Sequence, residues 1–257
     1  MSESPSTGSE PEPITIEVTV GAPIETVWSY LREPALISQW HGWIEDGLEQ
    51  EVDFIYGQHA HETTTPYVLQ MDRGTEGSVD GGDRFELLES GTDRQTSVRI
   101  TRGARGSGEL WDTWYDDITE GWTSFLHQLR FTLEEAPEFP RRTIFLNVDG
   151  TGLTSVRAAL GLTSVAAEQA YTVGGADEPD LRGRGWFSSD HQVGVTAESL
   201  GPGLVIAADK PDATGDYKGA MVIVSTYGQD EAAFANSVKE WGNWWRALYP
   251  DATGPTA

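Results

Sequence analysis

The feature that most constrains this chain is that it repeats its own amphipathic pattern. Ile118, Trp122, Phe125, Leu129 and Leu133 recur at helical spacing, and Phe234, Val238, Trp241, Trp245 and Tyr249 reproduce the set at a constant offset of 116 residues. Residues so spaced share one face of an α-helix, so each segment is expected to be a long helix with one buried stripe. Pro137 and Pro140 close the first and Pro250 the second. The opening strands repeat as well. Ile16, Val18 and Val20 alternate with Glu17 and Thr19, the period of a strand with one buried face, and Ile144, Leu146 and Val148 follow 128 residues later. The two offsets make the second copy about 12 residues shorter in its interior.

Between strand and long helix, both copies follow one order. In the first, Pro23 opens a helix carrying Ile24, Val27, Trp28 and Leu31, which Pro34 stops. A second short helix is expected over 36–40. Turn-punctuated segments at 52–56, 67–71, 84–88 and 97–101 then read as an antiparallel meander, with 77–82 and 102–108 as glycine-rich turns. The helix is expected from about Trp111. In the second copy Leu153, Val156, Ala159 and Leu160 suggest a short helix, with strands at 186–187, 192–197, 204–208 and 220–226. The expected loss is the second small helix and part of the first hairpin. The chain divides near Glu138: a disordered tail over 1–13, one module over 14–138, an abbreviated module over 139–251 and a second disordered tail over 252–257.

Composition removes several functions. The absence of cysteine excludes disulfides, thiolate nucleophiles, iron–sulfur clusters and Cys-ligated zinc. Acidic residues outnumber basic ones 41 to 17, giving a net charge of −24 with Lys210, Lys218 and Lys239 the only lysines. Such a surface repels phosphate backbones, so a nucleic-acid partner is not expected. No apolar run approaches the roughly 18 residues that span a bilayer, so membrane insertion is not expected. The N-terminal segment lacks the basic and apolar regions of a secretory signal, and a cytoplasmic location is the expectation. No Gly-x-Ser-x-Gly elbow, phosphate loop or dinucleotide fingerprint is present, and no cofactor is expected.

Ile16-Glu17-Val18, Ala22-Pro23-Ile24-Glu25-Thr26-Val27-Trp28, Pro34, Trp40, Ser97-Val98-Arg99-Ile100-Thr101 and Gly121-Trp122 leading to Leu126, Leu129 and Leu133 form one ordered set. Together they resemble the Hsp90-ATPase-activator-homologue branch of the START/Bet v 1-like SRPBCC superfamily, over residues 14–136. The resemblance implies an α+β fold of tandem helix-grip modules, each a curved antiparallel sheet packed on a long C-terminal helix, often around an apolar cavity. It implies no fixed catalytic set, since the superfamily includes lipid carriers, cyclases, hydrolase-like domains and co-chaperone modules.

Aromatic side chains are the first candidates for lining such a cavity: Trp40, Trp43, Tyr56, Tyr67, Trp122, Phe125 and Leu129 in the first module, and Trp186, Trp241 and Trp245 in the second. Trp244 falls off the buried stripe and is expected to be exposed. His59 and His61 would project to one side of a strand, with His41 a conceivable third ligand, but two imidazoles make a weak site and no metal is assigned. Asp112, Asp116, Asp117 and His127 are acid/base candidates lying mostly off the buried stripe. The leading reading is non-catalytic binding of an apolar or lipid-like small molecule. A protein-interaction module with a protein partner is the first alternative. An enzyme of cyclase or hydrolase type is the second, favoured if His41, His61 or an acid lies inside the cavity. The sequence sets no oligomeric state.

Overall fold

A computed structural model describes residues 13–72, 82–91, 94–103, 109–136, 138–175, 178–211 and 217–257. The expectations for residues 1–12, for the turns at 77–81 and 104–108, and for the side chains of Asp112, Asp116 and Asp117 lie outside the described residues.

The alternation at the start of the chain forms β1 (Thr15–Val20), with Val18 and Val20 buried and Glu17 and Thr19 exposed. It pairs antiparallel with β5 (Thr96–Thr101), placing Val18 opposite Val98 and Ile16 opposite Ile100. With β2 (Ala60–Thr64), β3 (Tyr67–Met71) and β4 (Arg84–Glu89), these strands make a sheet in the order β1-β5-β4-β3-β2. Its inner face, with Phe85, Leu87, Val98 and Ile100, packs on α1 (Ile24–Arg32), α2 (Pro34–Ile37) and the long α4 (Glu109–Glu135).

The second unit winds the same way. β6 (Arg141–Asp149), α5 (Val156–Ala159), β7 (Ala170–Gly175), β8 (Glu178–Ser188), β9 (Gln192–Thr196), β10 (Gly203–Pro211), β11 (Tyr217–Tyr227) and α6 (Glu231–Leu248) follow in order. The sheet order is β6-β11-β10-β9-β8-β7, again with first and last strands paired. The molecule is therefore an α+β protein of two helix-grip units, and the stripe residues separated by 116 positions face the two inner cores as expected.

Four details depart from the sequence reading. Residues 52–56 are helical, not a strand: α3 (Leu48–Val52) runs into a π-helical turn, Asp53–Gln58. Leu48, Val52, Ile55 and Tyr56 recur at helical spacing, and burying that face outweighs the local β-propensity of Phe54, Ile55 and Tyr56. The first hairpin is kept in the second unit, where β7 adds an outer strand; the residues missing are those of α2, α3 and the π turn. The segment 252–257 is not a disordered tail, because Thr256 exchanges two backbone hydrogen bonds with Phe145, satisfying part of the free edge of β6. Trp244 is buried in the second core, its ring 5.5 Å from Trp241 and 6.0 Å from Trp245, so the covered face of α6 is wider than the apolar stripe alone. No helix among the described residues is long and apolar enough to cross a membrane.

The element that organises both units is α4. Trp122, Leu126 and Leu129 point into the first sheet's core. About half a turn away, Ser124, Gln128, Phe131 and Thr132 are also buried, against the outer face of the second sheet. Phe131 meets Trp186 and Tyr227 there, in a third cluster with Phe187, Leu204, Ile206 and Ile223. The second sheet is thus covered on both faces, by α6 on one and α4 on the other.

Candidate functional site

The chain leaving α2 turns inward at His41. Its ring is 2% exposed and surrounded by those of Trp40, Tyr56, Trp122 and Phe125, at centroid distances of 5.8, 5.3, 5.9 and 5.0 Å. Nδ1 lies 3.0 Å from the Tyr56 hydroxyl. Nε2 lies 3.5 Å from Glu51, an ion-pair distance that stops short of a hydrogen bond and leaves this buried nitrogen without a bonded partner. A carboxylate beside Nε2 favours the proton there, and Nδ1 then accepts from the phenol. Electrostatics agree with that order. Burial, then Glu51 and Asp83, push the Tyr56 phenol well above its ordinary range, so it stays a donor, while the imidazole draws Glu51 below the usual carboxylate range. Glu51, whose side chain is about half exposed, His41 and Tyr56 stand in a row that leads from the surface into the otherwise apolar interior.

At the other end of the same interior, Trp122 donates from Nε1 to Asp83 at 2.6 Å, and Asp83 also accepts from Arg102 at 2.9 Å and from the Gly103 amide at 2.9 Å. The indole polar edge is satisfied and its apolar body faces Phe85 and His41.

Five of the ten candidate pocket residues, Trp40, Tyr56, Trp122, Phe125 and Leu129, lie together in the first core. Tyr67 lies at its margin against Trp28, 5.3 Å between rings. Trp241 and Trp245 fill the second core with Trp244 and Tyr249. Two are elsewhere. Trp43 does not line the first interior: past the left-handed turn at Gly42 (φ 54°), its ring stacks on Phe145 of β6 at 3.6 Å. Trp186 does not line the second, because at its position on β8 the side chain faces outward onto α4, where its indole donates to the His127 carbonyl and Arg130 lies over the ring at 4.1 Å.

No family model and no characterised sequence matches the chain. Solved structures to which the chain is similar include the di-domain ARO/CYC BexL from the BE-7585A biosynthetic pathway, at 11% identity, covering 93% of this chain and 99% of that one, with a TM-score of 0.38. DynU16 from the dynemicin biosynthetic locus gives 14% identity, 93% and 97% coverage and a TM-score of 0.29. The di-domain ARO/CYC StfQ from the steffimycin biosynthetic pathway gives 10%, 93% and 98%, and 0.31. Overlaps this loose carry no functional argument, which rests on the chain's own geometry.

The remaining candidates are peripheral. His59 and His61 share one side of the β2–β3 hairpin with Asp72, at 3.9 and 3.1 Å, and His41 does not join them because it turns inward. Among the described residues no group of three His, Cys, Asp or Glu side chains is arranged to hold a metal ion. An open cleft of about 380 Å³ runs between β1 and α4, bordered by Glu17, His127, Arg130 and Glu134. Its charges are already engaged, Glu134 by the Gly21 amide and Arg130, and Glu17 by Ser97 and Arg99. Such a lining does not suit an apolar guest. The sequence reading missed Glu51 and the buried polar residues Gln128 and Arg141; the signal for Gln128 was the Ser124, Gln128, Thr132 row opposite the apolar stripe.

Proposed function

We propose that the first unit binds an apolar, ring-bearing small molecule between its sheet and α4, with His41 as the polar contact and the second unit as support. The observation that carries this is the buried His41 imidazole inside a ring of aromatic side chains, its Nε2 held only by a long contact of 3.5 Å to Glu51. A buried polar atom with no partner costs about 1–3 kcal/mol; the long contact to Glu51 offsets part of that, and a ligand oxygen placed at Nε2 would offset the rest while the aromatic walls supply broad apolar contact. The second unit's interior is filled by Trp241, Trp244 and Trp245, and its own unbonded buried atom, the Trp245 indole nitrogen, can only donate, whereas an imidazole can also accept or exchange a proton. The kinship of residues 14–136 with Hsp90-ATPase-activator homologues is part of this reading and rests on the residues quoted above.

A second reading has a specific observation behind it. The Glu51–His41–Tyr56 chain has the composition of a proton relay, so a bound substrate that must lose or gain a proton would meet a suitable group at Nε2. Both readings predict that neutral polycyclic compounds raise the melting temperature of the purified protein and that His41→Ala weakens their binding at least about 5-fold, the cost of one hydrogen bond. Chemical conversion of a bound compound, lost in His41→Gln, selects the second reading. No co-purifying compound and no stabilisation across an apolar panel would remove both.

A further inference from the structure

The segment that presents His41 has an unusual hydrogen-bond account. The amides of Trp40 and His41 are taken up by the Ile37 carbonyl at the end of α2. The four carbonyls from Gln39 to Gly42 have no described backbone donor, and each is taken by a side chain from another element. Thr132 of α4 donates to Gln39 at 3.0 Å, and Gln128 of α4 donates to Trp40 at 2.9 Å and to Gly42 at 3.1 Å. Arg141, the first residue of β6, donates to the His41 carbonyl at 3.1 Å, to the Gly42 carbonyl and to the Gln128 side chain at 3.1 Å. Its own amide donates to the Gln39 side chain at 2.9 Å.

The next outward positions of β6 continue the grip. Thr143 accepts from the Ile44 amide at 2.6 Å, and Phe145 stacks on Trp43 with the rings 2° from parallel. Residues on alternate positions of a strand face the same side. Arg141, Thr143 and Phe145 therefore hold 39–44 while Ile144 and Leu146 between them fill the second core. Arg141 is 5% exposed, and a planar guanidinium fork can hold two neighbouring carbonyls at once in a way that an ammonium cannot.

We propose that Arg141, with Thr143, is a positioning residue for the first unit's binding site: the second unit fixes where His41 points, so that the site is assembled by both units. This rests on the binding reading above for its functional consequence, whereas the positioning itself is independent of any ligand. The alternative, in which the second unit merely adds stability, leaves the His41 ring indifferent to the chemistry at position 141.

The test uses the full chain and reads His41 directly. Five histidines are present, so the ring ¹⁵N–¹H signals of His41 are identified by their loss in His41→Gln, with those of His191 as the internal control. Arg141→Lys is expected to shift the His41 ring signals while leaving His191 and the circular dichroism unchanged, and to weaken binding of the neutral probe N-phenyl-1-naphthylamine about 5-fold or more. Thr143→Val should shift the same signals, and Thr143→Ser, which keeps the hydroxyl, should restore them. Because Arg141→Ala carries the larger risk of misfolding, the Lys variant and the Thr143 pair decide the matter. Folded variants whose His41 signals coincide with those of the unaltered protein would overturn the proposal. If the unaltered protein does not bind the probe but the His41 signals still move, the positioning stands and the apolar-binding reading falls. Shifted signals with unchanged probe affinity overturn the claim that the second unit completes the site.

Discussion

His127 lies at the seam between α4 and β8, its ring stacked on Phe187 at 3.8 Å with the planes parallel. Its Nδ1 is buried without a partner, and burial, then the neighbouring Arg130, pull its pKa down to about 3. The unfolded chain takes up this proton near pH 6.5, the folded chain only near 3. The stabilising contribution is therefore complete above about pH 6.5 and is lost progressively as pH falls toward 3, at up to about 1.4 kcal/mol per pH unit. One ring edge reaches the cleft, so the loss by pH 5 is at most about 2 kcal/mol. His127→Phe preserves the stack and removes the titration. Urea midpoints at pH 7.5 and pH 5 should differ less in that variant than in the unaltered protein, and equal differences would reject the assignment. Sequence spacing had placed His127 off the apolar stripe and hence in solvent; it is off the stripe, but a second sheet covers that side. His41 was recognisable as a candidate only on condition that it turned inward. Glu51 was not, because reading 52–56 as a strand broke the helical turn that brings Glu51 and Tyr56 to one imidazole.

At the scale of elements, α4 explains both what the sequence disclosed and what it concealed. The stripe from Ile118 to Leu133 was legible because its residues are apolar and periodic. The opposite face was not, because Ser124, Gln128 and Thr132 look solvated in sequence, and their burial depends on partners contributed by distant strands: Gln192 to Ser124, Arg141 and Ser225 to Gln128, Tyr227 to Thr132. A trace of the second sheet's burial was present in the chain. Leu204 to Ala208 and Val222 to Val224 are apolar at consecutive positions, as strands covered on both faces are, whereas β1 alternates. Phe131→Ala and Leu126→Ala should each destabilise the protein, by about 3–5 and 2–5 kcal/mol respectively, although they lie on opposite faces of one helix. Denaturant titration checks this. A loss below about 1 kcal/mol for Phe131→Ala would mean that the second sheet does not need α4, contrary to the packing described.

For the whole molecule, the repeat predicted two separate interiors, and two are present, but they are not independent bodies. One helix serves as the inner layer of the first and the outer cover of the second, and the segment 39–44 is held by side chains of both. The net charge of −24 adds long-range repulsion that this shared apolar seam must outweigh. A helix common to two cores should lose its amide protection only when both cores open together. Native-state hydrogen exchange across the full chain tests that most directly. The amides of 122–133 should exchange at the limit set by global unfolding, and Phe131→Ala should lower protection equally in β5 and β11, whose strands lie in different sheets. Loss of protection confined to β11, with β5 unchanged, would show two units that unfold separately and would contradict the account.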